Sequence, residues 1–205
     1  MAGERENRCK KCRRLNTKLF LKGERCYTDK CALEGKKSGV FVRRRRLSQY
    51  GRQLREKQKI RYMYGVRENL FRKYYRMAAK SSTPTPEEFL RLLERRLDNV
   101  VYKLGFSLSR SQARQLVNHA HFLVNGRRAS VPSHLLKEND VVEVKKKSKK
   151  LPFVKQILSG SEGRPVPEWL EVDKKSFKGL VKKLPQREDL IQEIDLALIV
   201  EYYSR

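Results

Sequence analysis

Four cysteines fall in the first 31 residues and nowhere else, as Cys9-x2-Cys12, thirteen residues, then Cys26-x4-Cys31. Two close pairs joined by a loop let each pair supply two corners of a tetrahedron. Four thiolates saturate zinc and leave no open position, so a site made from them is structural. Lys10, Lys11, Arg13, Arg14 and Arg25 surround the pairs. They favour the thiolate form and offset the negative charge of such a centre. The expectation is one zinc held by Cys9, Cys12, Cys26 and Cys31. The same ligand set accepts an iron–sulfur cluster, and reduced free thiols are the remaining reading.

The other chemistry in the chain is cationic. Arg43, Arg44, Arg45 and Arg46 run together, and Arg52, Arg55, Lys57, Lys59 and Arg61 follow within fifteen residues. Farther on, Arg110, Arg114 and Asn118 stand at i, i+4 and i+8, which places them on one helical face. Arg127 and Arg128 come next, at a turn. Arginine offers forked contacts to phosphate, and a helix N-terminus adds backbone N–H groups and a positive dipole end. All of these residues are expected to contact RNA phosphates. Catalytic groups are not apparent. His119, His121 and His134 have no carboxylate or Cys at ligand spacing, and the glycines at 35 and 39 have no Lys-Ser pair following at the place a phosphate loop needs it. No hydrolase or kinase motif set is present. The expectation is a non-catalytic protein without a small-molecule substrate.

Charge narrows the partner. Lys and Arg number 49 against 23 Asp and Glu, a formal net charge of +26 over 205 residues, and such self-repulsion opposes compaction unless a polyanion neutralises it. Nucleic acid does so with release of condensed counterions. An acidic membrane surface is the competing partner. The cations surround most of the helix that follows Ser48 rather than filling one sharp polar face, which suits a helix between RNA backbones and disfavours lipid. No apolar run approaches the ~20 residues of a membrane span, and residues 1–14 hold no apolar secretory stretch. The expected location is the cytoplasm, with an organelle of bacterial descent as the alternative.

Several elements must position these groups. Residues 1–42 are basic, turn-rich and poor in periodicity. A helix is predicted from the Ser48 N-cap to a stop at Gly65, and a second over residues 68–80. The SSTPTP stretch at 81–86 is a linker. Thr85 and Glu88 form a capping-box pattern with Pro86 at the first helical position, opening a helix whose apolar face runs to Leu104 and which Gly105 ends. Ser109 and Gln112 cap a third clear helix to Asn118. The period then changes to two. Residues 122–124 and 127–128 flank Asn125-Gly126, the signal for a type I′ hairpin. Residues 141–144 form a further strand. The remainder is less regular and closes on a Leu- and Ile-rich run.

These residues resemble a known family. LLERRLDNVVYKLGF at 92–106, SRSQARQLV at 109–117 and VNGR at 124–127 look like the signature of the small-subunit ribosomal protein S-four family and its RNA-binding module. The module also occurs in pseudouridine synthases and tyrosyl-tRNA synthetases. The rest of the chain is therefore needed to fix the family. LREKQK at 54–59, WL at 169–170, REDL at 187–190 and IVEYYSR at 199–205 resemble the same ribosomal proteins, and the four Cys resemble their zinc-bearing bacterial form. There are two departures. The segment at 34–42 is shorter than in many relatives, and Ala120 stands where many have Gly. Ala there is strained if the position requires positive φ.

The resemblance implies an α+β fold. A mainly helical, discontinuous domain with an N-terminal zinc site covers residues 1–91 and is completed by 180–205. An inserted RNA-binding domain covers 92–179, with its core at 92–150. It also implies early binding to a helix junction in the 5′ domain of small-subunit ribosomal RNA, contact with protein S-five, proximity to messenger RNA where it enters the subunit, and an influence on decoding accuracy. The rival readings are an RNA-modifying enzyme using the same module, which needs a catalytic domain the remaining residues do not supply, and a zinc-dependent regulator outside the ribosome.

Overall fold

The computed structural model describes residues 7–33, 47–151, 154, 157, 165–189 and 194–204. In chain order, its helices are α1 (Arg8–Leu15), α2 (Gln49–Met63), α3 (Glu68–Ala78), α4 (Thr85–Glu94), α5 (Leu97–Lys103), α6 (Arg110–Asn118), α7 (Lys146–Lys149) and α8 (Leu196–Tyr203). Its strands are β1 (Phe122–Val124), β2 (Arg127–Ala129), β3 (Val141–Val144), β4 (Leu170–Asp173) and β5 (Lys178–Val181). The chain divides into two compact units, one from Met1–Phe71 with Gln192–Arg205 and the other from Arg72–Ile191.

The first unit is helical. Asn7 caps α1, its side chain accepting from the Cys9 amide at 3.1 Å. Ser48 caps α2 in the same way, accepting from the Gly51 amide at 3.1 Å. Gly65, at φ +62°, ends α2, with the Val66 amide returning to the Arg61 carbonyl at 3.0 Å. That pattern satisfies carbonyls the helix end would otherwise orphan, and it needs a residue tolerant of the left-handed region. α8 opens on Asp195, whose carboxylate accepts from the Ala197 and Leu198 amides. It docks on α2 through Gln53, which donates to Glu201 at 2.8 Å, and through Lys57, which donates to the Tyr202 hydroxyl at 3.3 Å.

The second unit is built on an antiparallel sheet of order β2-β1-β3-β5-β4. Asn125 and Gly126 both have positive φ (+50° and +76°), as a two-residue type I′ turn demands, and set β1 against β2 with Phe122 opposite Ala129. Phe122 also pairs with Val144, and Val142 pairs with Gly179. Side chains alternate across a strand, so Phe122, Val124, Val142 and Val144 are buried together. They share one core with Leu97, Val100 and Val101 of α5 and Ala113 and Val117 of α6. Trp169, just ahead of β4, is fully buried in the same core.

The structure differs from the sequence-based expectation at four places. Residues 85–104 form two helices, because Arg96 is fully buried and bonded to Asp98 and Tyr74, while the Leu97 amide donates to the His134 carbonyl instead of continuing the helix. Thr85 makes no capping bond: α4 starts from Pro84, and Glu88 turns to Arg91 at 2.8 Å. Residues 8–15 are helical, and β4 and β5 extend the sheet past the expected module core. The two compact units part at 71/72 and 191/192. The end of α3 and α4 belong with the second unit, where the Tyr75 ring meets Phe89 edge-on at 6.1 Å and Arg91 donates to the Pro185 carbonyl at 3.1 Å.

Candidate nucleic-acid interface

α6 is capped by Ser109, whose hydroxyl accepts from the Gln112 amide at 3.3 Å, while the Gln112 side chain accepts from the Leu108 amide at 2.8 Å. This reciprocal cap fixes the start of the helix, where Arg110 projects. Arg110 Nε donates to Asn99 Oδ1 at 2.7 Å, and its guanidinium lies 4.7 Å from the centre of the Tyr102 ring. One turn on, Arg114 Nε sits 4.0 Å from an Asp98 oxygen. Asp98 is itself gripped at 3.0 and 2.7 Å by Arg96, which also donates to the Tyr74 hydroxyl at 2.8 Å. Burial works against the charge on Arg96, but Asp98 and Tyr74 more than offset it and hold its pKa above the ordinary value. Burial dominates at Tyr74 and pushes its phenol up.

Arg110 and Arg114 thus stand partly exposed beside a capped helix start, backed by buried polar groups. Asn118, on the last turn of α6, is exposed, as are Arg127 and Arg128 on β2. Sequence reasoning found these cations but missed the buried groups behind them. The available signal was Glu94, Arg96, Asp98 and Asn99 embedded in an otherwise apolar stretch, where charge is costly unless partnered.

In the first unit the expected cations have different fates. Arg52 is exposed. Lys59 pairs with Glu56 at 2.5 Å, and Arg61 donates to Gln58 at 2.8 Å with its guanidinium 4.8 Å from the Tyr62 ring centre. Arg55 reaches the Leu15 carbonyl. Lys57 is only 4% exposed and meets Glu68 at 2.8 Å, so its charge ties α2 to α3 and α8 and does not face solvent. Arg43 to Arg46 lie outside the described residues.

Cys9 and Cys12 stand one turn apart on α1, Cys26 lies in the 3₁₀ turn Gly23–Tyr27, and Cys31 is buried just beyond it. None of the four is joined in a disulfide. The Lys22 amide donates to the Cys26 sulfur at 3.3 Å. Burial pushes the Cys12 thiol up. The Leu19 amide opposes that rise, while the other three cysteines add to it. Among the described residues, no three or more His, Cys, Asp or Glu are gathered closely enough to hold a metal ion. The donor set, four sulfurs with a backbone N–H aimed at one of them, suits zinc chemically.

Residues 4–94 match the family described as "Ribosomal protein S4/S9 N-terminal domain", and residues 95–142 match the "S4 domain". The chain is 52% identical over 201 residues to "Small ribosomal subunit protein uS4" of Natranaerobius thermophilus, covering 96% of each chain. It is 52% identical over 200 residues to the protein of that name from Geotalea daltonii and 51% identical to that of Geobacter sulfurreducens, again with 96% of each chain covered.

Proposed function

Because this chain belongs to the uS4 family of small ribosomal subunit proteins, we propose that it binds small-subunit ribosomal RNA through phosphate contacts offered by both of its units. It is a structural constituent of the small subunit and not an enzyme. The observation that carries the RNA reading is the arginine pair of α6, Arg110 and Arg114, presented beside a capped helix start and supported by buried polar partners. A-form RNA has a major groove too narrow for side chains to read, so a compact cationic face of this kind senses backbone shape. Arg127, Arg128 and Asn118 extend the contact in the second unit. Arg52, Arg55, Lys59, Arg61 and the run Arg43 to Arg46 supply it in the first. Lys57 is omitted from the RNA-facing set because its ammonium is buried against Glu68.

The finer reading rests on the resemblance of the sequence motifs. The bound RNA is a helix junction in the 5′ domain, protein S-five is a neighbour, messenger RNA passes close by, and the protein influences accuracy of decoding. It acts on ribosomes of the cytoplasm or of an organelle of bacterial descent. One zinc on Cys9, Cys12, Cys26 and Cys31 holds the amino-terminal segment together. Support for zinc comes from the spacing of the four cysteines, two close pairs in a segment with few buried apolar residues.

Two experiments test these readings. Replacing Arg110 and Arg114 together with Ala should weaken binding to purified bacterial small-subunit ribosomal RNA while leaving the fold intact. Unchanged affinity in a folded variant would refute the proposed face. Protein purified under reducing, metal-replete conditions should carry one equivalent of zinc, and chelation should increase amide exchange around α1 while sparing the sheet of the second unit. A metal-free preparation would refute zinc, and visible charge-transfer absorption would point to iron–sulfur instead.

A further inference from the structure

Arg110 does not stand on the surface unsupported. Its Nε is committed to Asn99 Oδ1 at 2.7 Å, and the guanidinium lies over the Tyr102 ring. Asn99 is 1% exposed, and its amide nitrogen donates to the Glu94 carbonyl at 3.0 Å and to the Glu94 carboxylate at 2.7 Å. Glu94 is fully buried, and its carboxylate is balanced by Lys103 at 2.9 Å. The amide of Asn99 therefore has both ends fixed. Its nitrogen must face Glu94, which leaves its oxygen facing Arg110. Were the amide turned over, its oxygen would meet the Glu94 carboxylate and its nitrogen would meet another donor.

A cation held in one orientation loses less freedom on binding than one that must be ordered at the moment of contact. We propose that Glu94 and Asn99 are positioning residues for RNA binding: through one buried amide they hold the Arg110 guanidinium in the orientation in which it meets a backbone phosphate. They act through Arg110 and do not touch RNA. The inference rests on the RNA reading of α6 given above.

A double-mutant cycle on the full chain tests it, with purified bacterial small-subunit ribosomal RNA as the probe. Asn99→Ala should lower affinity by roughly three- to tenfold, the range expected for one side chain that must be ordered on binding. In an Arg110→Ala background the same change should cost nothing further, because its only route to RNA is gone. The salt slope separates the roles. Arg110→Ala should make it shallower by about 0.7–0.9, one phosphate contact, whereas Asn99→Ala keeps the charge and should keep the slope. Glu94→Gln provides a second variant, which keeps the side chain's size while removing the carboxylate that fixes the Asn99 amide. It should show the same non-additivity, so the test survives if Asn99→Ala fails to fold. Additive losses across the cycle, with both proteins folded, would overturn the inference and reduce Asn99 to a general stabiliser. Failure of the unaltered chain to bind the RNA would instead overturn the reading beneath it.

Discussion

At the residue scale, Ala120 is informative. It ends α6 at φ +55°, with its own amide returning to the Val117 carbonyl at 2.8 Å and the His121 amide to the Leu116 carbonyl at 3.1 Å. This is the position where a left-handed residue closes a helix and Gly is favoured. A left-handed alanine costs roughly 1–2 kcal/mol, and losing its buried methyl costs about 0.8 kcal/mol. Ala120→Gly should therefore stabilise the protein by up to about 1 kcal/mol in a denaturant titration. Ala120→Val should destabilise it. Glu68 gives a pH prediction. Burial pushes its carboxyl up, but hydrogen bonds from Lys57 and Tyr203 and the charges of Lys57 and Arg61 more than reverse this, leaving its pKa below the ordinary value. A depressed carboxylate contributes stability that is present above the unfolded pKa and is lost as pH falls through the folded value. Melting measured from pH 7 downward should show a loss below about pH 4.5 that Glu68→Gln lacks. An identical pH profile for the two proteins would remove Glu68 from the account of acid sensitivity.

At the element scale, legibility followed local signals. The spans of α2 and α6 could be read because each has a serine cap, with Gly65 to stop the one and a change of period after the other, and the β1–β2 hairpin because Asn-Gly admits few other turns. The break between α4 and α5 was hidden. Leu92, Leu93, Leu97, Val100 and Val101 continue at helical spacing across it, and the interruption comes from a tertiary event, the burial of Arg96 on Asp98 and Tyr74. β4 and β5 were illegible for a different reason. Each has four residues, and they follow a proline-bearing stretch that suppresses a strand reading. The alternation of Leu170 and Val172 with Glu171 and Asp173 was the usable clue. β5 also holds a steric demand that no periodicity reveals. A Cβ at Gly179 would collide with the buried Leu104 side chain. Gly179→Ala should cost about 1–3 kcal/mol by overpacking, read as a lower unfolding midpoint. A co-substitution Leu104→Ala, which opens space, should be less than additive with it.

For the whole molecule, a net charge of +26 finds its physical sense in a polyanionic partner. Binding to ribosomal RNA should fall linearly in log affinity against log salt, and replacing Arg110 and Arg114 with Ala should make that slope shallower by about 1.4–1.8. Two cationic units on one chain would make the second contact effectively intramolecular, so the proposed two-unit grip predicts tighter binding by the whole than by either contact alone. The sequence carried the cations of both units plainly. It could not tell which are spent internally: Lys57 looks like its neighbours in α2 until Glu68 and Tyr202 are seen around it. The decisive measurement is hydroxyl-radical footprinting of the full chain on purified bacterial small-subunit ribosomal RNA at moderate salt. The predicted result is a set of backbone protections drawn from several helices that converge on one junction, with one subset lost when Arg110 and Arg114 are replaced and the rest retained. Protection confined to a single helix, or a footprint unchanged by that replacement, would contradict the two-unit grip.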